Sequence, residues 1–223
     1  MSLMIKICGI TEAQGLQAAV EGGADFIGFI FCEKGLSKCY MEPADAAALL
    51  AACPRPVTKP FPQIVGVLRD QSDVEILEVV NHVPVDYLQL HGQETPERVA
   101  EIRKLTGKRV IKVFRIAAQE HFDMVALYED VADMFLFDTL TPGPTAGGTG
   151  KSFNWALLQG LAFKRDWVLA GGLNADNLTD ALATSGAHIV DVSSGVEKPG
   201  LEHGKRVKDP AKVSAFLHLA QSL

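Results

Sequence analysis

The sequence predicts one (β/α)8 barrel spanning residues 1–223, and three observations predict it. Eight short β-rich apolar runs alternate with longer amphipathic or cap-initiated segments from end to end. No linker or shift in composition divides the chain, and its 223 residues approach the roughly 250 usual for such barrels. The ends of several runs are polar or glycine-rich, as expected where strands open onto a working face. A doubly wound open sheet is the alternative that alternation alone leaves standing.

The first strand is MIKIC, residues 4–8, after which Gly9 lets the chain turn and Thr11 with Gln14 reads as a capping box opening a helix. DFIGFIF, 25–31, is the second strand, and the second helix starts near Glu42 with Pro43 in its first turn. The Pro-rich CPRPVTKPFPQ, 53–63, is a long connection to the third strand rather than a domain linker. IVGVL (64–68) leads to a helix near Ser72, and DYLQL (86–90) to one near Thr95. RVIKVF (109–114) and MFLFD (134–138) precede helices expected near Gln119 and Ser152. WVLAG (167–171) precedes one near Asn174, and HIVDV (188–192) the last, near Asp209.

A net charge of −6 argues against nucleic acid and against a polybasic membrane surface, and favours small-molecule chemistry. No run approaches the ~20 apolar residues of a membrane span, and no signal-peptide pattern opens the chain, so a cytoplasmic protein is expected. Cys8, Cys32, Cys39 and Cys53 form no C-x-x-C pair, and the six histidines form no H-x-x-x-H pair. Reduced thiols and no metal are expected.

Chemistry is expected at the carboxyl ends of the strands. Cys8 ends the first, Gln89 and His91 lie at the end of the fourth, and Asp138 ends the sixth. Gly171 and Gly172 follow the seventh, and Ser193, Ser194 and Gly195 the eighth; such small residues leave backbone N–H groups open to an anion. A thiol near a helix start can have its pKa lowered. Lys6 should face the same way as Cys8, one layer deeper, either favouring thiolate or forming an interior ion pair with Asp25 or Asp191. Taken singly, each residue is as well explained by packing or turn formation; their convergence on one barrel end carries the functional reading.

KICGIT, DYLQLHG, LFDT followed by GGTGKSFNW, LAGGLNADN and DVSSGVE together resemble, in order, the motifs of the phosphoribosylanthranilate isomerase family of tryptophan biosynthesis. The resemblance covers essentially the whole chain. It implies a cofactor-independent (β/α)8 barrel, monomeric or homodimeric, that performs an Amadori rearrangement of a phosphorylated aminosugar, with Cys8 as general base and Asp138 as general acid. For that role Asp138 is expected to be kept protonated by partial burial beside the aromatic substrate. The expected binding residues are Gly147, Gly148, Gly171, Gly172, Ser194, Gly195 and His91. A related isomerase with another aglycone, or a non-catalytic sugar-phosphate-binding barrel, are the alternatives.

Two departures from the family pattern stand out. LSKCY places Cys39 where the family usually has an arginine that helps hold the substrate, and a thiol cannot grip a carboxylate as a guanidinium does. The run VEKPGLEHGKRVKDP is longer than usual and carries His203, Lys205 and Arg206. Arg206 is therefore expected to supply the cation that position 39 lacks, with Lys34 or Lys38 as local alternatives.

Overall fold

In the computed structural model, which describes residues 2–32, 34, 37–57, 59–140 and 152–223, each predicted apolar run contributes a strand. The strands are β1 (Met4–Cys8), β2 (Phe26–Ile30), β3 (Gln63–Leu68), β4 (Tyr87–Leu90), β5 (Arg109–Ile116), β6 (Met134–Thr139), β7 (Trp167–Leu169) and β8 (Ile189–Val192). All pair in parallel, in sequence order, and β8 closes onto β1, so the sheet is a barrel and the open doubly wound alternative is excluded. Gly147 and Gly148 lie outside the described residues.

Parallel strands buried on both faces need apolar residues at nearly every position. One face packs outward on the helices, through residues such as Ile5, Ile7, Ile27, Leu88, Phe135 and Val190. The inward face fills the barrel in layers of four from alternate strands, each strand staggered by one residue on the last. From the registers these layers run upward as Lys6, Val65, Ile111 and Val168; then Gly28, Gln89, Leu136 and Asp191; then Cys8, Val67, Val113 and Ala170. Ile30, His91, Asp138 and Ser193 form the layer at the mouth. Apart from Lys6 in the lowest of these layers and Gln89 and Asp191 in the next, polar side chains gather at the mouth.

The opposite end is fastened by a repeated device. Asp25, just before β2, accepts the N–H of Ile5 at the foot of β1, at 2.7 Å. Asp86 does the same for Ile64 at the foot of β3, and Asp133 for Val110 on β5. His188 holds the corresponding place before β8.

Outside the barrel lie α1 (Ala13–Gly22), α2 (Pro43–Ala52), α3 (Asp73–His82), α4 (Pro96–Thr106), α5 (Leu178–Ser185) and α6 (Pro210–Gln221). Ser72, Thr95 and Asp209 cap their helices as expected, Ser72 in a complete capping box with Glu75. The cap of α1 differs: Glu12, not Thr11, accepts the N–H groups of Gln14 and Gly15, while the Thr11 hydroxyl donates to the Arg206 carbonyl. Single 3₁₀ turns, Gln119–Phe122, Val125–Tyr128 and Trp155–Leu158, stand where helices after β5 and β6 were expected. Within the two turns after β5 the buried residues are Phe122, Val125 and Tyr128, a three-residue period that suits a 3₁₀ turn better than an α-helix. After β6, Gly160 turns left-handed, at φ 76°, and ends the segment within one turn. The helix after β7 begins at Leu178 rather than Asn174, because Asn174 and Asn177 spend their side chains closing the preceding turn.

Candidate active site

Cys8 reaches the barrel axis beside a gap in β2. Gly28 faces it, and a Cβ there would lie 2.8 Å from the Cys8 sulfur and 3.3 Å from Lys6 Cε. Lys6 and Cys8 therefore lie one above the other along the same wall. Of the two ion pairs expected for Lys6, the structure forms the one with Asp191, at 3.1 Å, both side chains buried; Asp25 is occupied at the foot of β1. Burial opposes the Lys6 charge, but Asp191 and Cys8 more than compensate and its pKa is raised. The expectation of a lowered thiol pKa is overturned. Burial pushes Cys8 up, Lys6 opposes that, and the cap of α1 is four residues away. Burial also pushes Cys32 up to about 11 and Cys39 up to about 12.

Asp138 projects from β6 in the layer above Cys8, also buried. Its Oδ1 accepts the Thr139 N–H at 2.7 Å, and its Oδ2 lies 3.4 Å from His91 Nε2, too poorly aligned for a hydrogen bond. Gly171 backs onto this carboxyl; a Cβ at that glycine would come within 3.0 Å of Oδ1. Arg115, missed in the sequence because it lies just past the predicted run 109–114, pairs in register with Asp138 and donates to the His91 carbonyl at 3.2 Å. Burial lowers its pKa, and Arg69 adds to that effect.

The loops after β7 and β8 press together. Gly195 packs so closely on Leu173 and Asn174 that no side chain fits, and Gly171 and Gly172 adopt φ of 88° and 69°. Asn177 pins the Gly172 carbonyl at 3.0 Å. The N–H groups of Gly172, Ser194 and Gly195 meet no acceptor among the described residues. They are the open donors expected of an anion cradle.

The long segment after β8 folds back over the first two loops. Arg206 N–H donates to the Lys38 carbonyl at 2.9 Å, so Arg206 sits beside Cys39. Its guanidinium bonds Glu197 Oε2 at 2.8 Å and is about half exposed, at 45%. Glu197 Oε1 takes Lys208 at 3.1 Å and faces the Cys39 sulfur at 3.6 Å. Burial alone would raise the Glu197 carboxyl, but Lys208 and Arg206 hold it below its ordinary value. Lys34 is paired with Glu42. Glu197 closes the DVSSGVE motif and Lys208 lies in the long run after it, but neither was expected in the site, since each resembles an ordinary loop charge until the barrel closes.

Among the described residues no three His, Cys, Asp or Glu cluster as a metal site, and no helix is long and apolar enough to cross a membrane.

The family model for N-(5'phosphoribosyl)anthranilate (PRA) isomerase matches residues 5–218. An N-(5'-phosphoribosyl)anthranilate isomerase from Rhodospirillum centenum is 43% identical over 227 residues, covering all of both chains. The crystal structure of phosphoribosyl anthranilate isomerase from Thermotoga maritima superposes with a TM-score of 0.83 at 35% identity, over 99% of this chain and all of that one. A further isomerase structure, in complex with reduced 1-(o-carboxyphenylamino)-1-deoxyribulose 5-phosphate, matches with a TM-score of 0.80 at 32% identity, with the same coverage. With the barrel closed, the strand-end residues gathered at one mouth and the match running the length of the chain, this protein belongs to the N-(5'-phosphoribosyl)anthranilate isomerase family.

Proposed function

We propose that the chain isomerises N-(5'-phosphoribosyl)anthranilate to 1-(2-carboxyphenylamino)-1-deoxyribulose 5-phosphate, in the cytoplasm and without a cofactor. The observation that carries this is the placement of Cys8 and Asp138 in successive inward layers at the mouth where the loops after β7 and β8 leave N–H donors open. In this reading the 5-phosphate lies on Gly172, Ser194 and Gly195, with Gly171 shaping the turn and the Gly147–Gly148 stretch also contributing. His91 contacts the sugar or the amine beside Asp138.

Asp138 gives its proton to the furanose oxygen as the C1–O bond breaks, leaving a protonated Schiff base at C1. That cation acidifies C2, whose proton passes to Cys8 as thiolate. The resulting enolamine becomes the aminoketose when C1 gains a proton and the 2-hydroxyl loses one. Exchange with solvent at the mouth then returns Cys8 and Asp138 to their starting states, so atoms and charge balance.

At the other end of the substrate, Arg206 is the cation for the anthranilate carboxylate. Glu197 fixes one edge of its guanidinium and leaves other donors available. The segment lies against the loop after β2, as that role requires.

The test is growth of a tryptophan auxotroph that lacks this isomerase, paired with turnover by purified protein. Wild type should support growth, while Cys8→Ser and Asp138→Asn should lose turnover by at least about a hundredfold and still bind a phosphorylated product analogue. Binding without turnover in wild type would favour a non-catalytic barrel. Turnover only with other aminoaldose phosphates would favour a different aglycone.

A further inference from the structure

A buried charge pair lies under the thiol, in layers that are otherwise mostly apolar. Lys6 is 1% exposed and Asp191 9% exposed, and around them stand Val65, Ile111, Val168 and Leu136. A pair so placed adds little stability over apolar residues of the same volume, so packing does not account for it. Its position does suit chemistry. Lys6 and Cys8 are two residues apart on β1 and both point inward, and the missing side chain of Gly28 leaves Lys6 Cε and Cys8 Sγ next to the same open point. Asp191 Oδ1, across the β1–β8 seam, takes one of the three ammonium donors at 3.1 Å.

We propose that Lys6, oriented by Asp191, is a positioning residue for the Cys8 base: the ammonium fixed under the sulfur supplies the charge against which thiolate forms. The proposal rests on the catalytic reading above. The other charged groups near Cys8 do not replace Lys6. Lys208, after β8, is bound to Glu197, the Ser193 carbonyl and the Ser193 hydroxyl. Asp191 acts in the opposite sense on Cys8, and Asp138 bears on Asp191. Cys32 and Cys39, in the neighbouring loops, are themselves held as thiols. Asp191 thus aligns the lysine and also limits how strongly it draws the proton from sulfur.

The experiment follows alkylation of the Cys8 peptide by iodoacetamide against pH, with kcat, KM and Tm, in Lys6→Met, the double variant Lys6→Met/Asp191→Leu, and Asp191→Asn. Lys6→Met strands Asp191 and is expected to lower Tm. The double variant removes both charges and should restore Tm. Its alkylation midpoint should still lie at least about one pH unit above wild type, the usual effect of losing an adjacent opposite charge. Its kcat should remain down by about a hundredfold with KM nearly unchanged. Asp191→Asn should shift the midpoint downward, because Lys6 then faces Cys8 without competition. A double variant with wild-type kcat and alkylation profile would make the pair merely structural and overturn the proposal, as would an upward or absent shift in Asp191→Asn. Alkylation needs no substrate, so it decides the role of Lys6 even if wild type fails to turn over phosphoribosylanthranilate.

Discussion

Position 39 is buried against Glu197, and Arg206, 167 positions later, is brought alongside it by the Arg206–Lys38 backbone bond; in the proposed reading its guanidinium takes the role that Cys39 cannot fill. Arg206→Ala should raise KM for phosphoribosylanthranilate by an amount equivalent to about 1.5–3 kcal/mol, the range for a hydrogen bond to a charged group, with little change in kcat. Folding should survive, since Glu197 keeps Lys208. Adding Cys39→Arg to that variant should recover part of the loss. Steady-state kinetics on the three proteins check this, and an unchanged KM in Arg206→Ala would remove Arg206 from the site. Strand-end residues such as Cys8, His91 and Asp138 were legible in the sequence because a polar residue closing an apolar run is conspicuous. Arg115, Glu197 and Lys208 were not, because their meaning depends on partners that only barrel closure brings near.

At the scale of elements, the strands could be read because two-sided burial writes itself as continuous apolar runs. The segments after β5 and β6 could not, since a short stretch with three-residue spacing looks like one face of a helix until its length and Gly160 are weighed. The aspartates at the strand feet carry a separable load. Asp86→Ala leaves the Ile64 N–H without its acceptor and should cost about 1–3 kcal/mol, read as a lower urea midpoint, with kcat unchanged because the mouth lies at the other end of the barrel. An equal loss in kcat would mean that the two ends are coupled.

For the molecule as a whole, acid should loosen it through two buried carboxylates. Burial raises both Glu94 and Glu197, yet Lys112 acting on the first, with Lys208 and Arg206 on the second, brings each below its ordinary value. Groups lowered on folding contribute stability above their unfolded pKa, near 4.3 for glutamate, and that contribution fades as pH falls through the folded value. Thermal melts should therefore lose stability most steeply below about pH 4.3. Glu94→Gln, which leaves Lys112 buried and unpaired, should be destabilised by about 3–5 kcal/mol at neutral pH and show a shallower acid decline.

The foot bonds also say where the chain can be cut. Asp25 with Ile5 falls wholly before the Pro-rich 53–62 stretch, and Asp86 with Ile64 and Asp133 with Val110 wholly after it. A break there severs none of the three, and it opens a connection whose described residues are mostly exposed or half-buried. Residues 1–56 and 57–223, produced as separate polypeptides in one cell, should find each other and regenerate the isomerase, detected by co-purification through a tag on either piece. A cut between Ile64 and Asp86, which parts that pair, should reassemble less well. Inheritance by pieces, rather than as an indivisible ring, is what such a fastening permits.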